Sequence, residues 1–326
     1  MEVFGVVRQY PGEPLATQLQ QEGMQLVEAD LLVAGAARSA LQRANPDLVF
    51  HLAAQSAVTR SWEDPAGTLV NNAVGQINLL EAACELGLPC RVLVVGSNEE
   101  YGACAREELP TNELQPLRPL NPYAVSKVAQ DLLGYQYHAS RHIHCVRVRP
   151  FTHIGPGQSD TYAVSSFARQ VAEAELGLRE PVLLVGNLEV ERDLTDVRDM
   201  VRAYALALER GTPGEVYNVG SGVTRSMKSV VDLLQGQSTV VLRVEQDPAR
   251  LRPADVPVTL CDASRIHSLT GWQPEIPFER SLGDILAYWR ATLAQTPTLP
   301  PATSHQSPVA RNEERDAGDW PLETGD

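Results

Sequence analysis

From residue 1 to about Pro150, short β-branched runs alternate with longer amphipathic stretches, and this alternation constrains the fold more than any other feature. Strands separated by helices pair in parallel and carry those helices on the sheet faces. Residues 2–8, 24–28, 48–52, 91–96 and 144–149 read as the strands; Val92, Val94 and their neighbours stay apolar without alternating, as burial on two faces requires. The clearest helix covers 65–86, with Leu69, Ala73, Ile77 and Leu80 at helical spacing and Gly87 placed to end it. The expected class is α/β, a doubly wound parallel sheet over residues 1–150.

Past Pro150 the pattern loosens. Helices near Val164, Met200, Val230 and Phe278 and strands near Val182 and Val216 suggest a smaller second lobe over 151–291. Residues 292–326 are rich in Pro, Ser, Thr, Glu and Asp without apolar periodicity, so this tail is expected to be disordered. Among 326 residues there is no apolar run approaching the ~20 that a membrane span needs. The formal net charge of −14 offers no positive field for nucleic acid or an anionic membrane. Five cysteines, odd in number and without a C-x-x-C pair, argue against structural zinc and a disulfide framework, and the opening residues lack the marks of a signal peptide. A reduced, cytoplasmic setting is expected. His51 falls in a strand, while His138, His142 and His144 have no metal-ligand spacing and read as structural.

One element of a doubly wound nucleotide-binding sheet is missing. Such a sheet opens with a strand, a glycine-rich turn and a helix whose N-terminal amides hold a pyrophosphate. Here the first strand has no such turn after it. The close glycine pairs, Gly155/Gly157 and Gly220/Gly222, lie in the second half and do not replace it. The reading at this stage is a start placed about 25–30 residues too late, a strand, turn and helix of ordinary length being absent.

Tyr123 and Lys127 stand four apart, so they share a helix face and the ammonium can favour ionisation of the phenol. Alone, that spacing also describes an ordinary solvated helix. Upstream, the strand over 91–96 ends in Gly96-Ser97-Asn98-Glu99-Glu100-Tyr101-Gly102, placing a hydroxyl and carboxylates where open α/β sheets bind ligands. Ser97 can polarise a carbonyl or serve only as a turn serine. Glu99 can act as a base on a carbon acid or bond a sugar hydroxyl, and Glu100 is read as facing solvent.

Ser97, Tyr123 and Lys127, following His51-Leu52-Ala53-Ala54, resemble the extended short-chain dehydrogenase/reductase superfamily of Rossmann-type enzymes. Asn121-Pro122-Tyr123, Arg149-Pro150-Phe151-Thr152-His153 and the stretch Asn187 to Asp199 narrow the resemblance to its GDP-sugar branch, which contains the GDP-4-dehydro-6-deoxy-D-mannose reductases and the GDP-mannose 4,6-dehydratases. The likeness runs from Glu2 to about Arg290. It implies reduction of a C4 keto group on a GDP-linked 4-keto-6-deoxy sugar, with Tyr123 giving the proton, Lys127 tuning it, Ser97 polarising the carbonyl and Glu99 beside them. The dehydratase is the alternative activity, and an inactive nucleotide-sugar-binding scaffold a third reading.

The resemblance further implies NADP(H), with NAD(H) as the alternative. Arg8 would pair with a 2′-phosphate unless it is only a surface arginine. Asp30 and Leu31 would border the adenine, although Asp30 can equally cap a helix; Leu52, Ala53 and Ala54 would let the backbone approach the cofactor; Asn72 would support the active-site backbone, or merely bond locally. Asn98, Thr152, Asn187, Arg192 and Arg252 would contact the substrate, the arginines as planar donors to a diphosphate; either arginine alone also reads as a surface salt bridge. Thr152 departs from the branch, which carries Asn there, leaving one hydroxyl in place of an amide. A homodimer through helices around 70–85 and 121–138 is the expected assembly, without nucleic acid, membrane or metal.

Overall fold

The computed structural model describes residues 1–251 and 256–295. In chain order the elements are β1 (Val3–Val7), α1 (Glu13–Gln21), β2 (Met24–Glu28), α2 (Ala36–Ala44), β3 (Leu48–His51), α3 (Val58–Glu63), α4 (Pro65–Leu69), a π-helical turn (Val70–Val74), α5 (Gly75–Leu86), β4 (Arg91–Val95), α6 (Pro122–Arg141), β5 (His144–Pro150) and β6 (Thr152–Ile154). There follow α7 (Ala163–Glu175), β7 (Val182–Val185), β8 (Glu191–Asp196), α8 (Val197–Arg210), β9 (Val216–Val219), β10 (Thr224–Ser226), α9 (Met227–Gln237), β11 (Arg243–Gln246), α10 (Ser264–Thr270) and α11 (Phe278–Gln295).

The helix expected over 65–86 forms as α4, the π turn and α5. Asp64 caps its start by accepting from the Gly67 N–H (2.8 Å), and Gly87 ends it at φ 61°, a left-handed conformation that glycine adopts without a Cβ clash. The extra residue in the π turn carries Asn72 inward, fully buried.

The central sheet is parallel in the order β3-β4-β5-β9. Period-two alternation sorts β4 between two cores. Val92 and Val94 meet Ala37 and Leu41 of α2, Leu80 and Ala83 of α5 and Tyr137 of α6; Leu93 faces the other way, with Val146 and Val148, toward Met200 and Ala207 of α8 and the buried Trp272. The chain leaves this sheet after Pro150 and returns to it, because β9 pairs with β5. A third core gathers Phe167 and Val171 of α7, Leu183 of β7, Val230 and Leu234 of α9 and Leu282 and Ile285 of α11. Helix α11 continues through Gln295, so 292–295 are helical rather than part of a disordered tail; 296–326 lie outside the described residues.

Strands β1 and β2 pair with each other in parallel, Val3 opposite Met24, in a separate two-stranded sheet. Among the described residues no strand joins this pair to β3. The apolar side chains of Val3 and Val6 in β1 and of Leu48 and Phe50 in β3 are 37–47% exposed, whereas Val92, Leu93 and Val94 in β4 are at most 1% exposed. Parallel strands are ordinarily covered, so these are incompletely paired edges.

His51, at the end of β3, is 5% exposed, with Nε2 3.3 Å from Gln130 Nε2. Burial, reinforced by the nearby Lys127 charge, holds its imidazole down to about 3. The folded-state value lies below the unfolded one, so stability is present above the unfolded value and is lost as pH falls below it. Between pH 7 and pH 5 the loss attributable to His51 is about 2 kcal/mol. Urea midpoints at the two pH values should differ accordingly in the native chain, and the difference should shrink in His51→Gln.

Candidate active site

The exit of β4 and the first turn of α6 form the site. The Gly96 N–H donates to Val148 O (2.8 Å), prolonging the β5 ladder by one residue before the chain turns. Ser97, 7% exposed and extended at φ −162°, caps the short 3₁₀ turn Asn98–Tyr101: its hydroxyl accepts from the Glu99 N–H (3.2 Å) and the Glu100 carboxylate returns to accept from the Ser97 N–H (2.7 Å). Opposite, Asn121 caps α6 by accepting from the Ala124 N–H (2.8 Å), and Pro122 supplies the first helical residue. Tyr123 and Lys127 follow one turn apart. Lys127 Nζ lies 5.9 Å from the Tyr123 ring centre and donates to Val95 O (2.9 Å), and the phenol is hydrogen-bonded to Ser97. Hydroxyl, phenol and ammonium thus lie together at the C-terminal edge of the sheet. Glu99 Oε2 accepts from Asn121 Nδ2 (3.0 Å), with its charge beside Tyr123; Asn98 is half-buried in the turn.

The electrostatics differ from the expected lowering of the phenol. Burial pushes Tyr123 up, opposed by its hydrogen bond to Ser97 and reinforced by Glu99, Tyr162 and Glu100. Burial also pulls Lys127 down to about 8, with Glu100 acting against it. Desolvation is the largest influence on both groups. At neutral pH the phenol keeps its proton, the state of an acid awaiting an oxyanion. Glu100, read as solvent-facing, is instead wholly buried; the 3₁₀ turn folds its side chain under Ser97, where Arg149 Nε lies 3.1 Å from Oε2.

Around the ends of β1, β2 and β3, Leu52 and Ala53 are exposed and Ala54 half-buried. Asn72 accepts from the Gln55 N–H (2.7 Å) and donates to Gln55 O (3.0 Å) and Ser126 Oγ (2.8 Å), tying this loop to α6. Asp30 does not cap α2, which begins after Gly35; its carboxylate accepts from the Leu32 N–H (2.9 Å) in a local turn. Leu31 O accepts from Asn78 Nδ2 (2.6 Å), and Arg8 is exposed just past β1.

In the second lobe, Thr152 starts β6 and pairs with Leu194 of β8. Arg192 Nη1 donates to Glu191 O (2.9 Å) and Val256 O (2.7 Å), so it braces the 256–257 loop. Asn187 is exposed, its side chain accepting from the Glu189 N–H (3.0 Å). Arg252 lies outside the described residues; Arg250, which sequence reasoning passed over, has its carbonyl 2.7 Å from where a Cβ on Gly186 would stand, next to Asn187. The amides around Gly220/Gly222 are occupied: fully buried Asp193 accepts from the Ser221 N–H (2.8 Å), the Gly222 N–H (2.9 Å) and the Cys261 N–H (3.0 Å). They form no anion cradle.

Sequence reasoning also missed Tyr162 and Ser56. Their hydroxyls lie 2.8 Å apart across 106 residues of chain, and Tyr162 bears electrostatically on Tyr123. No spacing rule connects residues so distant. No group of His, Cys, Asp or Glu able to hold a metal occurs among the described residues, nor is any of their helices long and apolar enough to cross a membrane.

Residues 6–285 match the family model described as GDP-mannose 4,6 dehydratase. The GDP-6-deoxy-D-mannose reductase of Pseudomonas aeruginosa is 40% identical over 250 residues, covering 77% of this chain and 82% of the relative. A GDP-mannose 4,6-dehydratase of Sinorhizobium fredii is 29% identical over 256 residues, 72% of each chain. Among solved structures, RMD from Pseudomonas aeruginosa complexed with NADPH superposes with a TM-score of 0.80 at 34% identity, covering 90% of this chain and all of that one.

Proposed function

The chain belongs to the GDP-mannose 4,6-dehydratase family, and from that premise we propose that it reduces the C4 keto group of GDP-4-dehydro-6-deoxy-D-mannose, giving GDP-6-deoxy-D-mannose, with NADPH as reductant. The observation that carries this reading is the protonated Tyr123 phenol bonded to Ser97 above Lys127, in a chain 40% identical to a GDP-6-deoxy-D-mannose reductase. Bound NADPH would supply hydride to C4. Ser97 would hold the carbonyl oxygen, Tyr123 would pass its phenolic proton to the oxyanion that forms there, and Lys127 would stabilise the phenolate left behind.

The residues present fit the nicotinamide end of that cofactor. Lys127 spends one of its three donors on Val95 O, leaving two that can meet ribose hydroxyls, and Asn72 holds the adjoining backbone. Asp30 and Leu31 would border the adenine, Leu52, Ala53 and Ala54 the pyrophosphate path, and Arg8 a 2′-phosphate, with NAD(H) the alternative if Arg8 stays in solvent. Thr152, Asn187, Arg192, Asn98 and Arg252 are the substrate contacts of this reading, Arg250 joining them beside Asn187.

Glu99 favours a second reading. A carboxylate held by Asn121 next to Tyr123 can remove a sugar C5 proton, the step that makes a dehydratase. The two reactions separate cleanly, since a dehydratase returns its hydride and consumes no NADPH. NADPH absorbance should fall on adding GDP-4-dehydro-6-deoxy-D-mannose. A steady absorbance together with conversion of GDP-mannose to the keto sugar would assign the dehydratase, and neither reaction the inactive scaffold.

For the assembly we propose a homodimer. Leu69, Val70 and Val74 on the α4–α5 run and Val125, Leu132 and Tyr135 on α6 are 38–53% exposed. Residues 125 and 132, and 70 and 74, recur at helical spacing, and two such stripes on packed helices suit an intermolecular four-helix bundle. Light scattering should give twice the 35.6 kDa chain mass, and Leu132→Asp should halve it; a native monomer would overturn the dimer.

A further inference from the structure

A second parallel sheet, smaller than the central one, ends in a group of side chains that the chemistry at Tyr123 leaves unused. Strand β11 pairs with β7, Glu245 opposite Leu184 and Gln246 opposite Val185, and the Asp247 N–H carries the ladder on to Val185 O (2.8 Å). Both strands then turn at their C-terminal ends, the edge at which parallel sheets present ligand contacts. From β7 comes Gly186-Asn187, and from β11 the short turn Asp247-Pro248-Ala249-Arg250.

Local chemistry fixes this turn. The Asp247 carboxylate accepts from the Ala249 N–H (2.9 Å) and the Asp247 carbonyl from the Arg250 N–H (3.0 Å), with Pro248 presetting the first φ. A Cβ on Gly186 would stand 2.7 Å from Arg250 O, so the two turns are packed together. Arg250 Nη1 donates to Ser166 Oγ (3.1 Å), and Ser166 is 7% exposed. Ser166 is itself held in place. One turn further along α7 the Gln170 amide accepts from the Leu184 N–H (2.9 Å) and donates to Leu184 O (3.1 Å), closing the other edge of β7 as a strand would. The Arg250 Nε faces Asp247 Oδ2 at 3.4 Å, and among the described residues nothing accepts from Nη2.

An ion pair this exposed adds little stability, but its arrangement suits recognition. Asp247 and Arg250 set acceptors beside donors. A diphosphate carries acceptors alone, and Asp247 would repel it. Guanine carries both: O6 and N7 accept, N1–H and the N2 amino group donate, and O6 lies between the two sets. We propose that Asp247 and Arg250 recognise the base of the nucleotide-sugar as guanine, Arg250 donating to O6 and N7 and Asp247 accepting from N1–H and the N2 amino group. The inference rests on the reading of the substrate as a GDP-linked sugar and names the residues that select it. Adenine would turn its N6 amino group toward Arg250 and its N1 lone pair toward Asp247, and uracil would set O2 against the carboxylate. Hypoxanthine keeps O6, N7 and N1–H but lacks the amino group, so it isolates the Asp247 contact.

Calorimetric titration of the NADPH-saturated chain with GDP, IDP, ADP and UDP reads the base without turnover, since the four share a ribose diphosphate and NADPH fills the adenine site. The native chain should bind GDP about 10-fold more tightly than IDP and about 100-fold more tightly than ADP or UDP. Asp247→Asn, which keeps an oxygen for the Ala249 N–H, should bring GDP and IDP to within about twofold of each other. Arg250→Met should weaken GDP and IDP alike by about 10-fold or more, while UDP changes by less than about threefold. Arg250→Lys keeps a cation but loses the planar fork, and should lose the preference for GDP over UDP as Arg250→Met does, so the test survives if the latter fails to fold. Equal affinity of the native chain for the four, or a GDP:IDP ratio unmoved by Asp247→Asn, would overturn the proposal. Equal weakening of all four in Arg250→Met would put Arg250 at the diphosphate and overturn it as well. Guanine selection that both variants lose, in a chain that oxidises no NADPH with the keto sugar, would uphold the base contacts and reject the reductase reading instead.

Discussion

Tyr123→Phe is expected to lower NADPH-dependent turnover of the keto sugar by about 100- to 10,000-fold, with KM and melting temperature close to native. The variant loses one oxygen. The ring remains packed at the start of α6, where Asn121 and Pro122 fix the helix independently of the phenol. What disappears is the group bonded to Ser97, whose proton burial retains at neutral pH. Without it the C4 oxyanion must take its proton from water, and Ser97 can still polarise the carbonyl but has no acid behind it. Steady-state kinetics settle the matter, with a fluorescence titration of NADPH binding to show that the site is intact. Activity within about fivefold of native would move the proton donor elsewhere, and Tyr162, linked electrostatically to Tyr123, would be the first candidate.

The second large effect concerns the other end of the cofactor. A chain carrying one more strand, a glycine-rich turn and a helix ahead of Met1 is proposed to bind NADPH about 100-fold more tightly and to melt higher. The reasoning is structural. The β1-β2 pair and the β3-β4-β5-β9 sheet are both parallel, and the apolar residues Val3, Val6, Leu48 and Phe50 are left exposed along the incompletely paired β1 and β3. A parallel strand apolar on both faces would bury them. Its turn would also bring backbone amides to a pyrophosphate, which the Gly220/Gly222 segment cannot do while its N–H groups serve Asp193. Two charge-assisted hydrogen bonds at about 1.5 kcal/mol each correspond to a factor of roughly 100 in affinity. Paired titrations and melting curves of the two chains provide the measurement. Equal affinity would mean that the phosphates are held by groups already present, Arg8 foremost.

The local elements were legible in the sequence because their causes are local. Met24–Glu28 appears as a strand with the bounds its apolar run indicates, Gly87 closes α5 since a left-handed residue is needed there, and Tyr123 and Lys127 share a helix face through a spacing of four. The convergence of Ser97 on Tyr123 was legible only through the resemblance of whole motifs, for nothing in the spacing from 97 to 123 says that a strand exit and a helix start will touch. Glu100 was misread because adjacent carboxylates in a polar turn look solvated; the capping of that turn on Ser97 drives one of them inward, and the arginine that receives it lies 49 positions away on the neighbouring strand.

By itself, then, the sequence determined the parallel α/β class, the helix bearing Tyr123 and Lys127 and the glycine stops, because propensity, periodicity and capping act within a few residues. Tertiary structure alone decided the return of β9 to the first sheet, the burial of Glu100 under Ser97, the bridge between Ser56 and Tyr162 and the upward shift of the Tyr123 phenol. Each of these depends on which distant segments exclude water from one another, and desolvation belongs to the packed chain rather than to any short stretch of it.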